Sequence, residues 1–286
     1  MSAGGDGFTA GRVALDAGPI HYREGGSGPP IVFVHGAIAN GRLWTAVASE
    51  LAGGYRCIVP DWPMGSHPEA MNPDADLSPR GQARLIDEFM STLGLDDVTI
   101  VANDSGGAVS QILVTERPGR VGRLVLTNCD SFEHFPPGTF KTMVWMARAP
   151  GGYSALVNAM RIRAIRTSPI AYGALTSGPA DDELLRAFTE PQVRDAGIRR
   201  DGRKFVAAMR PADTLAAGAK LPGLEIPALM AWGVDDRFFK LDHARRIADA
   251  IPDAKLVEIA GASTFVSLDR PQELAAAIAD FMAPPG

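Results

Sequence analysis

A carboxylate side chain, Asp104, stands where the sequence predicts a sharp turn between a strand and a helix. The buried run Val98–Val101 leads into the turn, and small residues flank it at Ala102 and Gly106. Such a turn needs small neighbours because its central residue is held in a strained backbone conformation. The N-terminus of the following helix also favours negative charge. We therefore expect Asp104 to project from the end of the sheet and to attack a carbon electrophile as a nucleophile.

Two other interpretations of this turn stay open. In a second register Ser105 is the central residue, flanked by Asn103 and Gly107, although asparagine fits poorly where a small residue is needed. Alternatively, Asp104 only caps the helix that follows it, a common role for an aspartate at such a junction.

Short apolar runs alternate with helical stretches along the chain, and each run reads as a strand that is buried on both faces. Six runs have this character: Ile31–Val34, Cys57–Pro60, Val98–Val101, Leu124–Leu126, Ala228–Ala231 and Leu256–Ile259. Helices are predicted over 78–93, 106–116 and 271–282, because their apolar residues recur at helical spacing. The Gly-rich first dozen residues are expected to form a loose tail.

Between about residues 131 and 222 the alternation stops, and only helical patches with proline and glycine breaks remain. The pattern predicts an α/β fold with a mostly parallel sheet and helices on both faces. We expect residues 1–130 and 223–286 to form the core and residues 131–222 to form a helical cap inserted into it.

The composition of the 286 residues excludes several classes of protein. A net charge of −5 argues against a nucleic-acid-binding surface. No apolar stretch reaches the roughly 18 residues of a membrane helix, so no membrane partner is expected. Two cysteines cannot build a disulfide framework or a zinc site, and no Gly-rich phosphate-binding turn follows the first buried strand. We therefore expect no metal and no cofactor, and a small molecule as the partner. The N-terminus lacks a secretory pattern, which favours the cytoplasm, and the oligomeric state is left open.

The order of these motifs resembles that of the α/β-hydrolase family, from about residue 18 to residue 282. His35-Gly36 follows the first buried strand, and Asp61–Ser66 follows the next one. The turn at 102–106 and the helical insertion come after them, and Trp232–Asp236 ends the strand before the last. An aspartate in that turn resembles the haloalkane dehalogenase and epoxide hydrolase branch, whose members form an ester on the aspartate.

The resemblance implies further members of the site. The acid that supports the nucleophile is expected at Asp236, with Asp130 as the alternative position used by some members of that branch. The oxyanion hole is expected from backbone N–H groups, one of Ser105 and one of Ala37 or its neighbour Ile38. Backbone donors do not depend on the identity of their side chains.

The family's catalytic histidine position is occupied by Thr264, which precedes Phe265. A threonine hydroxyl does not take up a proton near neutral pH, so it cannot activate water as a histidine does. His134, at the start of the predicted cap, is the first candidate for a replacement base. The residues expected to bind substrate are Ile38, Trp62, Phe135, Trp145, Thr264 and Phe265.

Neither branch fits this sequence fully. Haloalkane dehalogenases place a tryptophan after the nucleophile and commonly an asparagine in the oxyanion loop, whereas Ser105 and Ala37 stand here. Epoxide hydrolases carry two cap tyrosines, and the predicted cap does contain Tyr153 and Tyr172, although a tyrosine pair in a helical segment more often serves packing.

The sequence favours a small-molecule hydrolase that acts on an apolar ester, halide, epoxide or related substrate, with Asp104 as nucleophile or base. A lyase or cyclase on the same fold is a second hypothesis, in which Asp104 moves a proton while the oxyanion hole stabilises an enolate. The third hypothesis is a ligand receptor without catalysis, because the histidine is absent.

Overall fold

The apolar runs of the sequence form one sheet of eight strands. The computed structural model describes residues 7–179 and 181–283. The strands are β1 (Thr9–Leu15), β2 (Gly18–Gly25), β3 (Pro30–Val34), β4 (Arg56–Pro60), β5 (Val98–Asp104), β6 (Val121–Cys129), β7 (Ala228–Gly233) and β8 (Ala254–Ile259). Their order across the sheet is β1-β2-β4-β3-β5-β6-β7-β8. Strands β3 to β8 run parallel, whereas β2 pairs antiparallel with both β1 and β4. The carboxyl ends of six strands therefore meet at one edge of the sheet.

Helices connect the strands and cover both faces of the sheet. The helices are α1 (Thr45–Leu51), α2 (Pro79–Thr92), α3 (Ser105–Glu116), α4 (Lys141–Arg148), α5 (Gly152–Ala159), α6 (Arg163–Arg166), α7 (Asp182–Arg194), α8 (Ala196–Ala208), α9 (Pro211–Gly218), α10 (Leu241–Ala250), α11 (Val266–Asp269) and α12 (Pro271–Met282). Short 3-10 turns occupy Gly41–Trp44, Pro118–Arg120, Gly138–Phe140, Tyr172–Ala174 and Leu221–Gly223. Within the described residues, no helix is both long and apolar enough to cross a membrane.

Two apolar layers hold the helices on the sheet. Apolar side chains of α2, α3 and α10 pack on one face, and those of α1 and α12 pack on the other. Helix α2 begins as the sequence predicts, because the Ser78 side chain accepts a hydrogen bond from the backbone N–H of Gly81 and Pro79 occupies the first turn. The parallel strands β3 to β7 are mostly buried because helices cover both faces, which explains their continuous apolar sequences.

The sequence predictions of the fold class and of the six strands are confirmed. The expectation that all six are buried on both faces is wrong for β8, because it forms the edge of the sheet and Val257 and Glu258 are exposed. The prediction of a loose tail over the first dozen residues is wrong from Thr9 onward, because β1 starts there and pairs with β2. Residues 1–6 lie outside the described part of the chain. The hairpin was missed because its strands are half-exposed and carry polar residues between apolar ones, so neither forms a continuous apolar run.

The segment between β6 and β7 contains the helices α4 to α9 and, within its described residues, no named strand. Its first residues form a tight turn, closed by a single β-bridge between Ser131 and His134. The division of the chain into a core and a cap at residues 131–222 stays a prediction, and "the predicted cap" below means this segment.

The close approach of α3 to β3 gives a test of the packing at the sheet edge. A Cβ atom on Gly106 would lie 2.4 Å from the carbonyl oxygen of His35 and 2.7 Å from that of Val34. Because both neighbours are backbone atoms, we expect Gly106→Ala to lower the free energy of unfolding by about 1–3 kcal/mol, as overpacking of a core does. Urea unfolding measures this change. The control is Gly119→Ala, where the added Cβ meets no atom within 4 Å. Equal stability of both variants would contradict the tight packing.

Candidate active site

Asp104 lies at the junction of β5 and α3 in a conformation that few side chains adopt. Its φ of 52° and ψ of −134° are in a strained region for a residue with a side chain. The carboxyl group of Asp104 leaves no room for a side chain at position 36, since a Cβ on Gly36 would lie 2.2 Å from Oδ2 of Asp104. Gly36 and Gly106 therefore allow the carboxyl group to sit between the end of β3 and the start of α3.

A cavity of about 300 Å³ opens above this carboxyl group, between the carboxyl edge of the sheet and the predicted cap. Its floor consists of Ala37, Ile38, Asp104, Ser105 and Asp130. Its walls are mainly apolar side chains of the predicted cap, among them Phe140, Met143, Met146, Leu156, Met160 and Met209. In the described residues, no lysine, arginine or histidine side chain lines this cavity. The enclosure is therefore apolar except for two carboxyl groups and a few hydrogen-bonding groups.

The two carboxyl groups on the floor, Asp104 and Asp130, influence each other. Loss of hydration is the main cause that raises the pKa of Asp104 to about 7, and the nearby charge of Asp236 raises it further. The backbone N–H of Ser105 acts in the opposite direction, because it stabilises the carboxylate. Burial also raises the pKa of Asp130 well above its usual range, and repulsion from Asp104 adds to that shift. Two carboxyl groups in such a cavity do not both ionise near neutral pH.

Asp236, at the position implied for the supporting acid, lies behind Asp104 in a dense hydrogen-bond network. Its Oδ2 accepts hydrogen bonds from Thr264 Oγ1 and from Asn128 Nδ2, both at 2.9 Å. Its Oδ1 accepts from the backbone N–H groups of Phe238 and Phe239, at 2.7 and 3.2 Å. Burial raises the pKa of Asp236, and these donors counteract part of the rise. The hydroxyl of Thr264 thus contacts the predicted supporting acid directly.

Asn103 is a site residue that the sequence reasoning missed. Its Nδ2 donates to the backbone oxygen of Thr264 at 2.7 Å, and also to Thr127 Oγ1 and the backbone oxygen of Asn128. The residue before Asp104 therefore ties β5 to β6 and to the loop after β8. The signal in the sequence was an asparagine at a position where a buried strand is expected to carry an apolar residue.

The strained backbone conformation of the turn is that of Asp104, and Ser105 is the first residue of helix α3.

The oxyanion loop after β3 is closed by hydrogen bonds. The N–H of Ile38 donates to the backbone oxygen of Met64 at 3.0 Å, which leaves Ala37 as the loop donor nearest the cavity. The N–H of Ala37 donates to Oγ of Ser105 at 2.7 Å. The hydroxyl of Tyr172 donates to the backbone oxygen of Ile38. Ala37 and Ser105 thus stay the predicted oxyanion donors, and a substrate oxygen would have to displace the Ser105 hydroxyl to reach the Ala37 N–H.

The structure places His134 away from the cavity, so its proposed role as a replacement base is wrong. Its ring stacks on that of His243 at 4.2 Å, and its Nε2 lies 3.6 Å from Glu133. The turn that starts the predicted cap directs the side chain outward. His35 is also structural, because its Nδ1 donates to the backbone oxygen of Gly36 and its Nε2 accepts from the N–H of Trp62. Burial lowers the pKa of His35 to about 4.

Of the six residues expected to bind substrate, only Ile38 lines the cavity. Trp62 is wholly buried in the core, where its Nε1 donates to the backbone oxygen of Phe33. Trp145 lies on the outer face of α4 and is 70% exposed.

The other three expected binding residues, Phe135, Thr264 and Phe265, are buried but do not line the cavity. Phe135 packs in the core beneath the predicted cap, Thr264 points to Asp236, and Phe265 packs edge-on against Phe188. Proximity to a motif in the sequence does not determine on which side of the loop a side chain lies. The methionine-rich wall takes the place that these residues were expected to fill.

Several known proteins are similar to this chain in sequence and fold. A sequence profile of the alpha/beta hydrolase fold matches residues 29–271. Haloalkane dehalogenase 2 of Mycobacterium tuberculosis is 30% identical over 282 residues, which cover 91% of this chain and 90% of that protein. The chain belongs to the α/β-hydrolase family.

Other members of the family differ in the reaction that their names describe. A 2-hydroxy-6-oxo-6-phenylhexa-2,4-dienoate hydrolase of Burkholderia cepacia is 27% identical over 253 residues, which cover 83% of this chain and 82% of that protein. The structure of a haloalkane dehalogenase from Bradyrhizobium elkani matches with a TM-score of 0.79 at 19% identity, over 96% of this chain and 97% of that one. Membership of this family confirms the prediction that the protein is a hydrolase-type enzyme. The dehalogenases among its relatives support the prediction that it belongs to the branch with an aspartate nucleophile.

The raised pKa of Asp104 predicts a pH-dependent stability difference. Below its ordinary value of 3.8 the carboxyl is protonated in both the folded and the unfolded chain. As the pH rises towards 7 only the unfolded chain releases the proton, so the folded state loses stability relative to it. We therefore expect Asp104→Asn to be more stable than the wild type, by up to about 4 kcal/mol above pH 7.

Urea unfolding at several pH values measures this difference, which vanishes near the ordinary pKa of 3.8. The control is Asp235→Asn, an exposed aspartate next to the site, whose substitution leaves the profile unchanged. A stability difference for Asp104→Asn that does not vary with pH would contradict the raised pKa.

Proposed function

We propose that this protein is a hydrolase of a small, neutral and apolar molecule, with Asp104 as the reacting carboxylate. The observation that carries the proposal is the strained placement of Asp104 at the floor of a mainly apolar cavity. Backbone strain at this position holds the carboxyl towards the cavity, where a purely structural aspartate gains nothing. Its pKa of about 7 keeps part of it ionised at neutral pH and makes it more basic than an ordinary carboxylate.

The charges around the cavity favour a neutral substrate. Asp104 and Asp130 on the floor repel an anion, and no cation in the described lining compensates for that repulsion. The dienoate named for the Burkholderia cepacia relative is a carboxylate, so its substrate does not suit this cavity. The volume of about 300 Å³ lies at the lower end of the range for small-molecule sites, which favours a compact substrate.

A second candidate is a proton-transfer enzyme of the lyase or cyclase type. The observation in its favour is that no histidine lines the cavity in the described residues, so the site lacks the usual base for hydrolysis of an ester intermediate. Asp104 with a pKa of about 7 is a competent general base by itself. In this reaction Asp104 removes a proton and returns it, and forms no covalent bond to the substrate.

Intact-protein mass spectrometry with neutral electrophiles separates the two candidates. The wild type is incubated with alkyl esters, lactones, haloalkanes and epoxides of similar size, and loss of each reagent is followed in parallel. We expect a covalent ester on Asp104 or net hydrolysis with at least one class, and neither with Asp104→Asn. Asp235→Asn serves as the matched control and behaves as the wild type.

The proton-transfer candidate predicts another result. Loss or isomerisation of a reagent that requires Asp104 but yields no adduct and no water-derived oxygen in the product supports that chemistry. A folded wild-type protein that leaves every class of reagent unchanged contradicts the hydrolase proposal for these substrates.

A further inference from the structure

We propose that Asp130 is a second catalytic carboxyl, which acts first as an acid and then as a base on a substrate with an oxygen leaving group. In the first step it gives its proton to the departing oxygen while Asp104 attacks carbon. In the second step it removes a proton from the water that hydrolyses the ester on Asp104. This inference rests on the proposed role of Asp104 as a nucleophile, and it supplies the base that Thr264 cannot provide.

The position of Asp130 carries the argument. It follows directly after β6, lines the cavity beside Asp104 and is 1% exposed. Its Oδ1 is buried and has no hydrogen-bond partner in the protein. The backbone is fixed on both sides, because the N–H of Asp130 lies 3.3 Å from the backbone oxygen of Asp104 and its carbonyl oxygen accepts from Gln111 Nε2 at 2.8 Å. A buried polar oxygen without a partner is costly unless it serves another purpose, and a proton exchanged with substrate is such a purpose.

The environment keeps a proton on Asp130 when Asp104 is ionised. Burial and the charge of Asp104 both raise the pKa of Asp130, and no cation lines the cavity in the described residues to oppose them. Two adjacent carboxyl groups that share one proton divide into a base and an acid. The side chain with the strained, attacking geometry is the base, and the wholly buried one is the acid.

In the first step, Asp104 supplies the nucleophile and Asp130 supplies the proton, so no other group of the protein is needed. A carboxylate oxygen of Asp104 forms a bond to a saturated carbon of the substrate, and the bond from that carbon to oxygen breaks. The oxygen receives the electron pair of the broken bond and the proton of Asp130. The products are an alkyl ester of Asp104 that carries the new hydroxyl group, and an ionised Asp130.

The second step restores the starting state. Water adds through its oxygen to the carbonyl carbon of the Asp104 ester, and one water proton moves to Asp130. The bond between the carbonyl carbon and the product oxygen breaks, and the product oxygen takes the other water proton. Asp104 is again a carboxylate and Asp130 is again protonated. One carboxyl group that alternates between acid and base also serves retaining glycosidases.

The polar groups around the cavity favour oxygen over halide as the leaving group. A halide departs as an anion and needs N–H donors, but Trp62 is buried elsewhere and Trp145 is on the outside. The Ala37 N–H is already donated to Ser105 Oγ. A halide would therefore leave next to two carboxyl groups with no N–H side chain in the described lining to stabilise it, whereas an oxygen leaves as a neutral hydroxyl group once Asp130 has protonated it.

Matched reagents test the role of Asp130. Hexene oxide and bromohexane have the same carbon chain and differ in the leaving group, and mass spectrometry follows the ester formed on Asp104. We expect the wild type to form the ester with hexene oxide. With bromohexane, we expect the wild type to react no faster than the Asp104→Asn variant does. Asp130→Asn is expected to slow the reaction of hexene oxide by at least about 100-fold, the usual contribution of a general acid. Asp235→Asn is the control and keeps the wild-type rate.

The pH dependence separates a catalytic from a structural role. In the wild type the rate rises as Asp104 ionises and falls again as Asp130 loses its proton. Asp130→Asn is expected to lose the fall at high pH, and Asp130→Glu to retain it. Heavy-oxygen water in a single turnover is expected to place the label in the carboxyl group of Asp104. An ester that accumulates in the wild type without hydrolysis would contradict the base step.

The failures of the two proposals are distinguishable. If no variant forms an ester on Asp104 with either reagent, the proposed function fails. If Asp104 is esterified in Asp130→Asn at the wild-type rate, only the role of Asp130 is overturned. A bromohexane rate equal to that of hexene oxide would overturn the preference for oxygen. If Asp130→Asn does not fold, the pH profile of Asp130→Glu and the isotope experiment on the wild type still decide the question.

Discussion

Two buried carboxyl groups at the carboxyl edge of the sheet are the constraint on which the site depends. Asp104 follows β5 and Asp130 follows β6, and these neighbouring parallel strands bring the two side chains to one cavity. Repulsion and poor hydration prevent both groups from being ionised together. The glycines around the turn and the apolar wall maintain that environment, because the glycines admit the carboxyl of Asp104 and the described wall brings no cationic side chain near it.

The contact between Thr264 and Asp236 affects the electrostatics of the region. A histidine beside Asp236 can carry a positive charge, whereas the hydroxyl of Thr264 donates one neutral hydrogen bond. The charge of Asp236 therefore reaches Asp104 without a cation between them and raises its pKa. Burial remains the larger cause of the raised pKa of Asp104, and the charge of Asp236 adds to it.

The sequence predicted the parts of the site that depend on strand ends. Asp104, Asp130 and Asp236 each follow an apolar run, and parallel strands bring such positions together at one edge. Asn103 was missed because its three hydrogen bonds reach segments that are distant in the sequence, the end of β6 and the loop after β8.

The direction of individual side chains could not be predicted in this way. Trp62 is directed into the core, whereas His134 in a turn and Trp145 on helix α4 are directed towards the surface. The half-exposed strands β1 and β2 lack the continuous apolar sequence that identified the others. The methionine-rich wall is set by the packing of helices in the predicted cap, which no local pattern defines.

The ionisation of the carboxyl pair itself is the most direct measurement of the central claim. Nuclear magnetic resonance of protein with isotope-labelled aspartate carboxyl carbons follows each group through a pH titration, and Asp104→Asn and Asp130→Asn assign the two signals. We expect the carboxyl group of Asp104 to titrate with a pKa of about 7. We expect the carboxyl group of Asp130 to be still protonated at that pH. Ionisation of both groups near the ordinary value of 3.8 would contradict this expectation.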